Sequence, residues 1–370
     1  MFLVYRVVSA CFFSFVVAKA CDTRSSDQRL VCLPDVFFLG ASKAGTSTVA
    51  TILFQHPMIS NPRGENRSQK RKDQQRKDKE SHYFDHSDEN VHGNNHVLHH
   101  TDKHGGVLET IYYDQIGFDR NVFNESHRPL LMDYTPNYLV LESVPEVIRN
   151  LTKEINKLKF IIMLRDPVKR VESSWKFKRT FCASCLNHID VNVPSFQLSV
   201  DRGMKQGTCI STCYNNLPAL RKFKDYCSIT KCRNLYDDES GSSGGRSHLA
   251  HVVKSMYAYQ LIMWQEFFKP SQFHIFTFES YVRCPLCEIT NILNFLELPL
   301  YGHHGGKNGF ENEQVLDSLL KTKLNGTPRV EEVEAEVTPE LLKNLTNFFK
   351  PHNLLLRRIL GWIPEPGYEI

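Results

Sequence analysis

Val36-Phe37-Phe38-Leu39-Gly40-Ala41-Ser42-Lys43-Ala44-Gly45-Thr46-Ser47-Thr48 is the stretch whose reading decides the fold. Val36 to Leu39 form an unbroken apolar run, which reads as a buried strand, and the run breaks at Gly40. Small residues follow, and Thr46 to Leu53 then reads as the opening of a helix. Strand, glycine loop and helix N-terminus together make an anion cradle, because backbone N–H groups and the helix dipole converge there. A Walker A loop needs lysine directly after its second glycine. Here Gly40 and Gly45 have that separation, but Thr46 fills the lysine slot and the lysine lies inside the loop, at Lys43. That departure argues against ATP or GTP chemistry and keeps the cradle.

A second buried strand, Lys159 to Leu164, runs into Arg165-Asp166-Pro167-Val168-Lys169-Arg170-Val171-Glu172-Ser173. Pro167 suits the first turn of a helix, with Asp166 as its cap. Arg165 then stands at the C-terminal edge of the sheet, where open α/β folds bind ligands. Ser173 follows two turns along the helix, so an arginine fork and a hydroxyl can share one phosphate.

These two segments resemble the 5′- and 3′-phosphate motifs of sulfotransferases, which take a sulfuryl group from 3′-phosphoadenosine 5′-phosphosulfate (PAPS). A third segment, Lys79-Glu80-Ser81-His82-Tyr83-Phe84-Asp85, is similar to a signature of Golgi sulfotransferases that modify glycosaminoglycans. The resemblance implies an α/β fold with a P-loop-like, mostly parallel central sheet flanked by helices. It implies that Ser42, Lys43, Ala44, Gly45, Thr46, Ser47 and Thr48 bind the donor's 5′ side, and Arg165 and Ser173 its 3′-phosphate. Lys43 would neutralise charge on the transferred group and its leaving oxygen. Glu80 would act as base for the acceptor hydroxyl or amine, with His82 and Asp85 assisting. No metal is called for, and PAP is the product.

Met132-Asp133-Tyr134-Thr135-Pro136-Asn137-Tyr138-Leu139 is a weaker match to the same family, and so is the segment from Ser255 to Glu279. The family's second lysine is replaced by Tyr134, and Lys321 or Lys323 are candidate substitutes. The apolar spacing of Tyr257, Leu261, Trp264 and Phe268 reads as amphipathic core helix with no catalytic role.

With 370 residues, 41% hydrophobic, the chain can bury one large α/β core. Strands are expected near 35–39, 129–133, 159–164 and 273–278, and helices near 46–55, 144–157, 168–180, 247–268, 286–296 and 338–350. Arg6, the apolar run Val7 to Val17 and Ala18-Lys19-Ala20 read as a signal peptide over 1–20, or a short membrane anchor. That directs the domain at 21–370 to the secretory pathway, as a Golgi-lumenal or secreted protein. Asn66, Asn124, Asn150, Asn325 and Asn344 open glycosylation tripeptides, which agrees. Ten cysteines follow the signal, and the oxidising compartment favours disulfides, with pairing preferred among those from Cys182 to Cys232. The C-x₂-C pairs Cys182/Cys185 and Cys284/Cys287 leave a structural zinc site as the rival.

A basic insertion at about 61–79 runs directly into Glu80 and could gather a polyanionic polysaccharide acceptor. A Cys-rich insertion at about 182–246 has weak periodicity and many turn residues. The net charge of +4 gives only a weak overall field, and no nucleic-acid partner is expected. Two rivals stand beside the enzyme: a disulfide-rich glycan-binding protein without catalysis, and a nucleotide kinase of the P-loop class.

Overall fold

The computed structural model describes residues 21–23, 30–32, 34–60, 129–152, 154–185, 195–218, 223, 227, 232, 251–302, 309–321 and 331–362. The expected signal or anchor, the basic insertion and Glu80, His82 and Asp85 lie outside these residues.

A short antiparallel ladder of β1 (Cys21–Thr23) and β2 (Leu30–Cys32) precedes the main sheet. The main sheet holds β3 (Val36–Gly40), β4 (Ile59–Ser60), β5 (Leu130–Tyr134), β6 (Lys159–Leu164) and β7 (Phe273–Thr277). Its order is β4-β5-β3-β6-β7 and every pairing is parallel. Parallel neighbours need crossover connections, and among the described residues helices lie between β3 and β4, between β5 and β6 and between β6 and β7. That is why β3 and β6 read as continuous apolar runs: Phe37, Phe38, Leu39 and Phe160 to Leu164 are all buried. From β3 the chain first builds β4 and β5 on one side, then β6 and β7 on the other. The reversal opens a crevice at the C-terminal ends of β3 and β6, the usual ligand position in open α/β sheets.

The helices are α1 (Thr46–Leu53), α2 (Val144–Leu151), α3 (Pro167–Cys185), α4 (Phe196–Asn215), α5 (Tyr257–Gln265), α6 (Phe278–Arg283), α7 (Pro285–Leu296), α8 (Glu313–Lys321), α9 (Glu331–Ala335) and α10 (Pro339–Leu360). Phe160 is the hub of the core beneath the sheet, stacked on Phe37 and Phe273 and in contact with Trp264 and Phe268 of the α5 region. The amphipathic spacing expected over 257–268 is therefore a packing face, as read.

Several expectations give way: the helix expected over 144–157 ends at Leu151, and the one expected over 247–268 is α-helical, among the described residues, only over Tyr257–Gln265. The Cys-rich segment contains a twenty-residue helix, α4, where turns were expected. Its buried face carries Ser199, Gly203, Gln206 and Gly207 beside Phe196, Val200 and Ile210, so hydrophobic periodicity is faint. Small residues are needed there: a Cβ on Gly203 would stand 2.6 Å from Val252, and one on Gly207 2.6 Å from Met256 and Phe348. The C-terminal helix, expected to stop at 350, runs through Pro351 to Leu360. Pro351 removes one backbone donor, but His352, Asn353 and Leu356 beyond it are buried, and His352 shares a 3.0 Å hydrogen bond with Tyr259.

Three disulfides are formed among the described residues: Cys209–Cys232, Cys213–Cys227 and Cys284–Cys287. The first two fall within the preferred 182–232 segment, whereas Cys284 and Cys287 bond to each other and are not a thiolate pair for zinc. No group of three or more His, Cys, Asp or Glu among the described residues is placed to hold a metal ion. No helix among them is long and apolar enough to cross a membrane.

Candidate active site

The loop after β3 is held by backbone. Ala41 N–H donates to Met163 carbonyl on β6 (2.8 Å), Ser42 N–H to Pro136 carbonyl (3.1 Å) and Ala44 N–H to Ala41 carbonyl (3.0 Å). The N–H groups of Ser42 and Ala44 are therefore already engaged, and donation to an anion falls to the first turn of α1. Gly45 is the residue before that turn, with φ +90°, and no side chain caps it. Thr46 and Ser47 open the helix, and the first-turn amides of an α-helix have no intrahelical acceptor. Gly45 is required twice over. Its φ is left-handed, and a Cβ there would lie 2.8 Å from the Phe278 ring. Lys43 also takes a left-handed φ, +70°, which a side-chain-bearing residue adopts only when its surroundings impose it.

Tyr134, at the end of β5, is buried and bonds both loop hydroxyls: Thr46 Oγ1 at 3.1 Å and Ser47 Oγ at 2.9 Å. The residue that replaces the family's lysine thus holds the two hydroxyls expected to bind the donor. Thr46 is itself buried, while Ser47 and Thr48 are half-buried. Lys321, a candidate substitute cation, is paired with Asp317 on an exposed stretch of α8, and Lys323 lies outside the described residues.

The loop after β6 supplies charge. Asp166 Oδ1 accepts from the N–H groups of Val168 (2.8 Å) and Lys169 (3.2 Å), capping α3 as expected. Arg165 Nη1 donates to the Lys43 carbonyl at 2.9 Å, so the two expected donor-binding residues meet across the crevice. The Arg165 guanidinium lies 4.8 Å over the Phe278 ring, and its Nε is buried without a hydrogen-bond partner. Tyr257 O–H donates to the Arg165 carbonyl at 2.9 Å. Ser173 is half-buried on α3, and Ser174 next to it bonds His251 Nδ1 at 2.9 Å.

Sequence reasoning missed Arg170. It is 1% exposed and donates to the Ser42 carbonyl (2.8 Å), the His251 carbonyl (2.9 Å) and Ser255 Oγ (2.9 Å). All three acceptors are neutral. Burial pushes its pKa down to about 10, which leaves it charged at neutral pH. Only its spacing from Arg165 on the strand–helix junction could have marked it, and surface arginines share such spacing.

Lys43 Nζ sits 3.7 Å over the Phe177 ring on α3. Burial, first, and then the charges of Arg165, Arg170 and Lys178 push its pKa down to about 8. No carboxylate enters that balance. Asp166 and Glu279 act on Arg165 rather than on Lys43: Asp166 N–H donates to Glu279 Oε1 at 3.0 Å, and burial, only partly offset by hydrogen bonds and the charge of Arg165, raises both carboxyls above their usual range. Lys43, crowded by other cations and beside the unpartnered Arg165 Nε and a helix N-terminus, is a cation whose charge is not balanced by a carboxylate. A bound anion balances it.

Comparison with curated proteins finds no match. Among solved structures, the chain is similar to the crystal structure of a sulfotransferase from Alicyclobacillus acidocaldarius, at 18% identity and TM-score 0.50, over 90% of this chain and 97% of that one. It also aligns with the sulfotransferase domain from the curacin biosynthetic pathway, at 14% identity and TM-score 0.37, over 90% of this chain and 99% of that one. The first likeness supports the sulfotransferase fold. The sulfotransferase domain family model matches residues 33–328, which contain both loops of the site, and the chain belongs to that family.

Proposed function

We propose that this chain transfers a sulfuryl group from PAPS to a hydroxyl or amine of a carbohydrate, with a polyanionic glycosaminoglycan-type chain as the acceptor and PAP as the second product. The observation that carries the donor assignment is the cation set of Lys43, Arg165, Arg170 and Lys178 with no carboxylate among the charges acting on Lys43. The family generally uses PAPS, and the residues fit it: the orphaned Arg165 Nε suits a phosphate oxygen, and the first turn of α1 suits another. PAPS supplies an activated sulfur whose leaving group is the nucleotide phosphate.

The chain's own groups have separable tasks. Lys43 offers positive charge where negative charge builds up at the crevice. Arg165 and Ser173 take the 3′-phosphate, which distinguishes this nucleotide from ATP. Arg170 holds the Ser42 carbonyl and so fixes the loop from beneath. Glu80, supported by His82 and Asp85, takes the acceptor's proton. The carbohydrate class rests on the Lys79 to Asp85 signature, on the basic segment before it and on the secretory character of the sequence. Asn150 and Asn344, two of the glycosylation acceptors, are exposed on α2 and α10, as carrying a glycan requires. The secretory reading places the enzyme in the Golgi lumen or outside the cell. The kinase alternative is displaced by membership of the sulfotransferase family.

The test is transfer of label from radiolabelled PAPS by residues 21–370, secreted and purified, to desulfated heparan, chondroitin and dermatan chains. Transfer to one chain, lost in Lys43→Ala and Glu80→Ala, establishes reaction and acceptor class together. Tight PAP binding without transfer to any of them overturns the glycosaminoglycan assignment. Absence of PAP binding by folded protein overturns the donor assignment.

A further inference from the structure

Cys284-Pro285-Leu286-Cys287 closes a disulfide across the first turn of α7. Cys284 is the cap residue of that helix, and its Sγ accepts the Cys287 N–H at 3.3 Å. Cys287 is exposed, whereas the other two bridges each include a buried cysteine, Cys227 or Cys232, at 1% and 4% exposure. The three features are independent: a C-x-x-C spacing, a helix N-terminus holding one sulfur, and an open face on the other. Together they are the conditions for a reactive rather than a structural disulfide.

We propose that Cys284–Cys287 is a thiol–disulfide exchange site, taking a dithiol or glutathione-class thiol as co-reactant. A thiolate attacks the exposed Cys287 sulfur, forming a mixed disulfide and breaking the Cys284–Cys287 bond. Cys284 leaves as a thiolate, and the Cys287 amide and the dipole of the twelve-residue helix stabilise it there. A second thiolate then attacks the co-reactant's sulfur and releases Cys287. Two co-reactant thiols become one disulfide, and two electrons and two protons pass to the protein. Pro285 contributes no N–H, so the amides of Leu286 and Cys287 carry the stabilisation. Glu288, in the same turn, works against it and sets a limit on how far the thiolate is favoured.

The position gives the chemistry a neighbour. Cys284 also ends α6, whose Phe278 lies under Arg165 and whose Glu279 accepts from Asp166. The proposal does not depend on the assigned reaction, since it concerns the sulfurs alone.

The experiment exposes native protein to graded dithiothreitol and, separately, to graded reduced glutathione, followed by alkylation and peptide mass mapping of each bridge. Cys284–Cys287 is expected to open at about tenfold lower dithiothreitol than Cys209–Cys232 and Cys213–Cys227, with far-ultraviolet circular dichroism unchanged. A glutathione adduct on Cys287 identifies the monothiol as sufficient, and opening by dithiothreitol alone assigns the site to dithiols. Opening of all three bridges together, or of Cys284–Cys287 last, overturns the proposal. Glu288→Gln serves as a graded second variant: it is expected to accelerate opening a few-fold, and slowing would contradict the role given to the helix end.

Discussion

The loop after β3 takes its path from backbone conformation and is clamped at its carbonyls by two arginines, whereas the loop after β6 supplies those arginines and keeps its own shape with side chains. In the first, a left-handed glycine, a left-handed lysine and three main-chain hydrogen bonds set the path from Ala41 to Gly45. In the second, the path is an ordinary strand-to-helix start, and what matters is which charges it carries: Arg165, Asp166 and Arg170. The difference teaches where each half tolerates change. The first half is vulnerable to volume, to φ and to the single charge of Lys43, the second to fork geometry and to a set of charges that share the work.

The sharpest way to break the comparison is to move charge in the first loop. Lys43→Ala should lower sulfuryl transfer about 10³-fold, roughly 4 kcal/mol, with the thermal midpoint little changed. A large stability loss with little change in rate would make Lys43 a structural residue. Next comes volume. Gly45→Ala should destabilise the fold by about 3 kcal/mol, from φ strain plus the clash with Phe278. Gly361→Ala, at the end of α10 with φ +73° and nothing within 4 Å, should cost only about 1 kcal/mol. Equal shifts in urea midpoint would remove the steric part of the argument.

For the second loop, Arg165→Lys keeps charge and loses the fork, so PAP affinity measured by calorimetry should fall about tenfold. The pH dependence is a similar size. Lys43 is protonated below about pH 8 and loses its charge as pH rises through that value. PAP affinity should therefore decline by up to about tenfold between pH 7 and 9, and Lys43→Arg should flatten the decline. Smallest is Tyr134→Phe. Removing one hydroxyl that holds two others costs about 1 kcal/mol, read as a roughly fivefold rise in KM for PAPS with kcat little changed. A fall in kcat with KM unchanged would give the phenol a part in the chemistry itself.

The sheet was the most legible part of the sequence, because its central strands β3 and β6 are buried on both faces and read as nearly unbroken apolar runs. The expected segment 159–164 coincides with β6, and the other three expected strands lie within one residue of β3, β5 and β7. Most of the longer helices with an apolar stripe were legible, the short α8 and α9 were not anticipated, and α4 was lost because it packs through Gly203, Gln206 and Gly207. Arg170 was invisible for a related reason: nothing in sequence distinguishes an arginine whose three partners are carbonyls and a serine from one in water. Tyr134 was visible only as a missing lysine. Its actual partners, Thr46 and Ser47, are more than eighty residues away, and only the pairing of β5 with β3 brings them together.

The two cysteines of α4 that form cross-links stand four residues apart, one turn along the same face, and their partners run back in reverse order, Cys227 within Cys232. The bridges are nested, like two rungs closing a hairpin. A protease that cuts once anywhere between Cys213 and Cys227 would leave both pieces joined, and the nick would show on a gel only after reduction. Clipped and intact molecules would therefore co-migrate and co-purify. A preparation judged homogeneous without reductant should be run again with it before any activity is assigned to the whole chain.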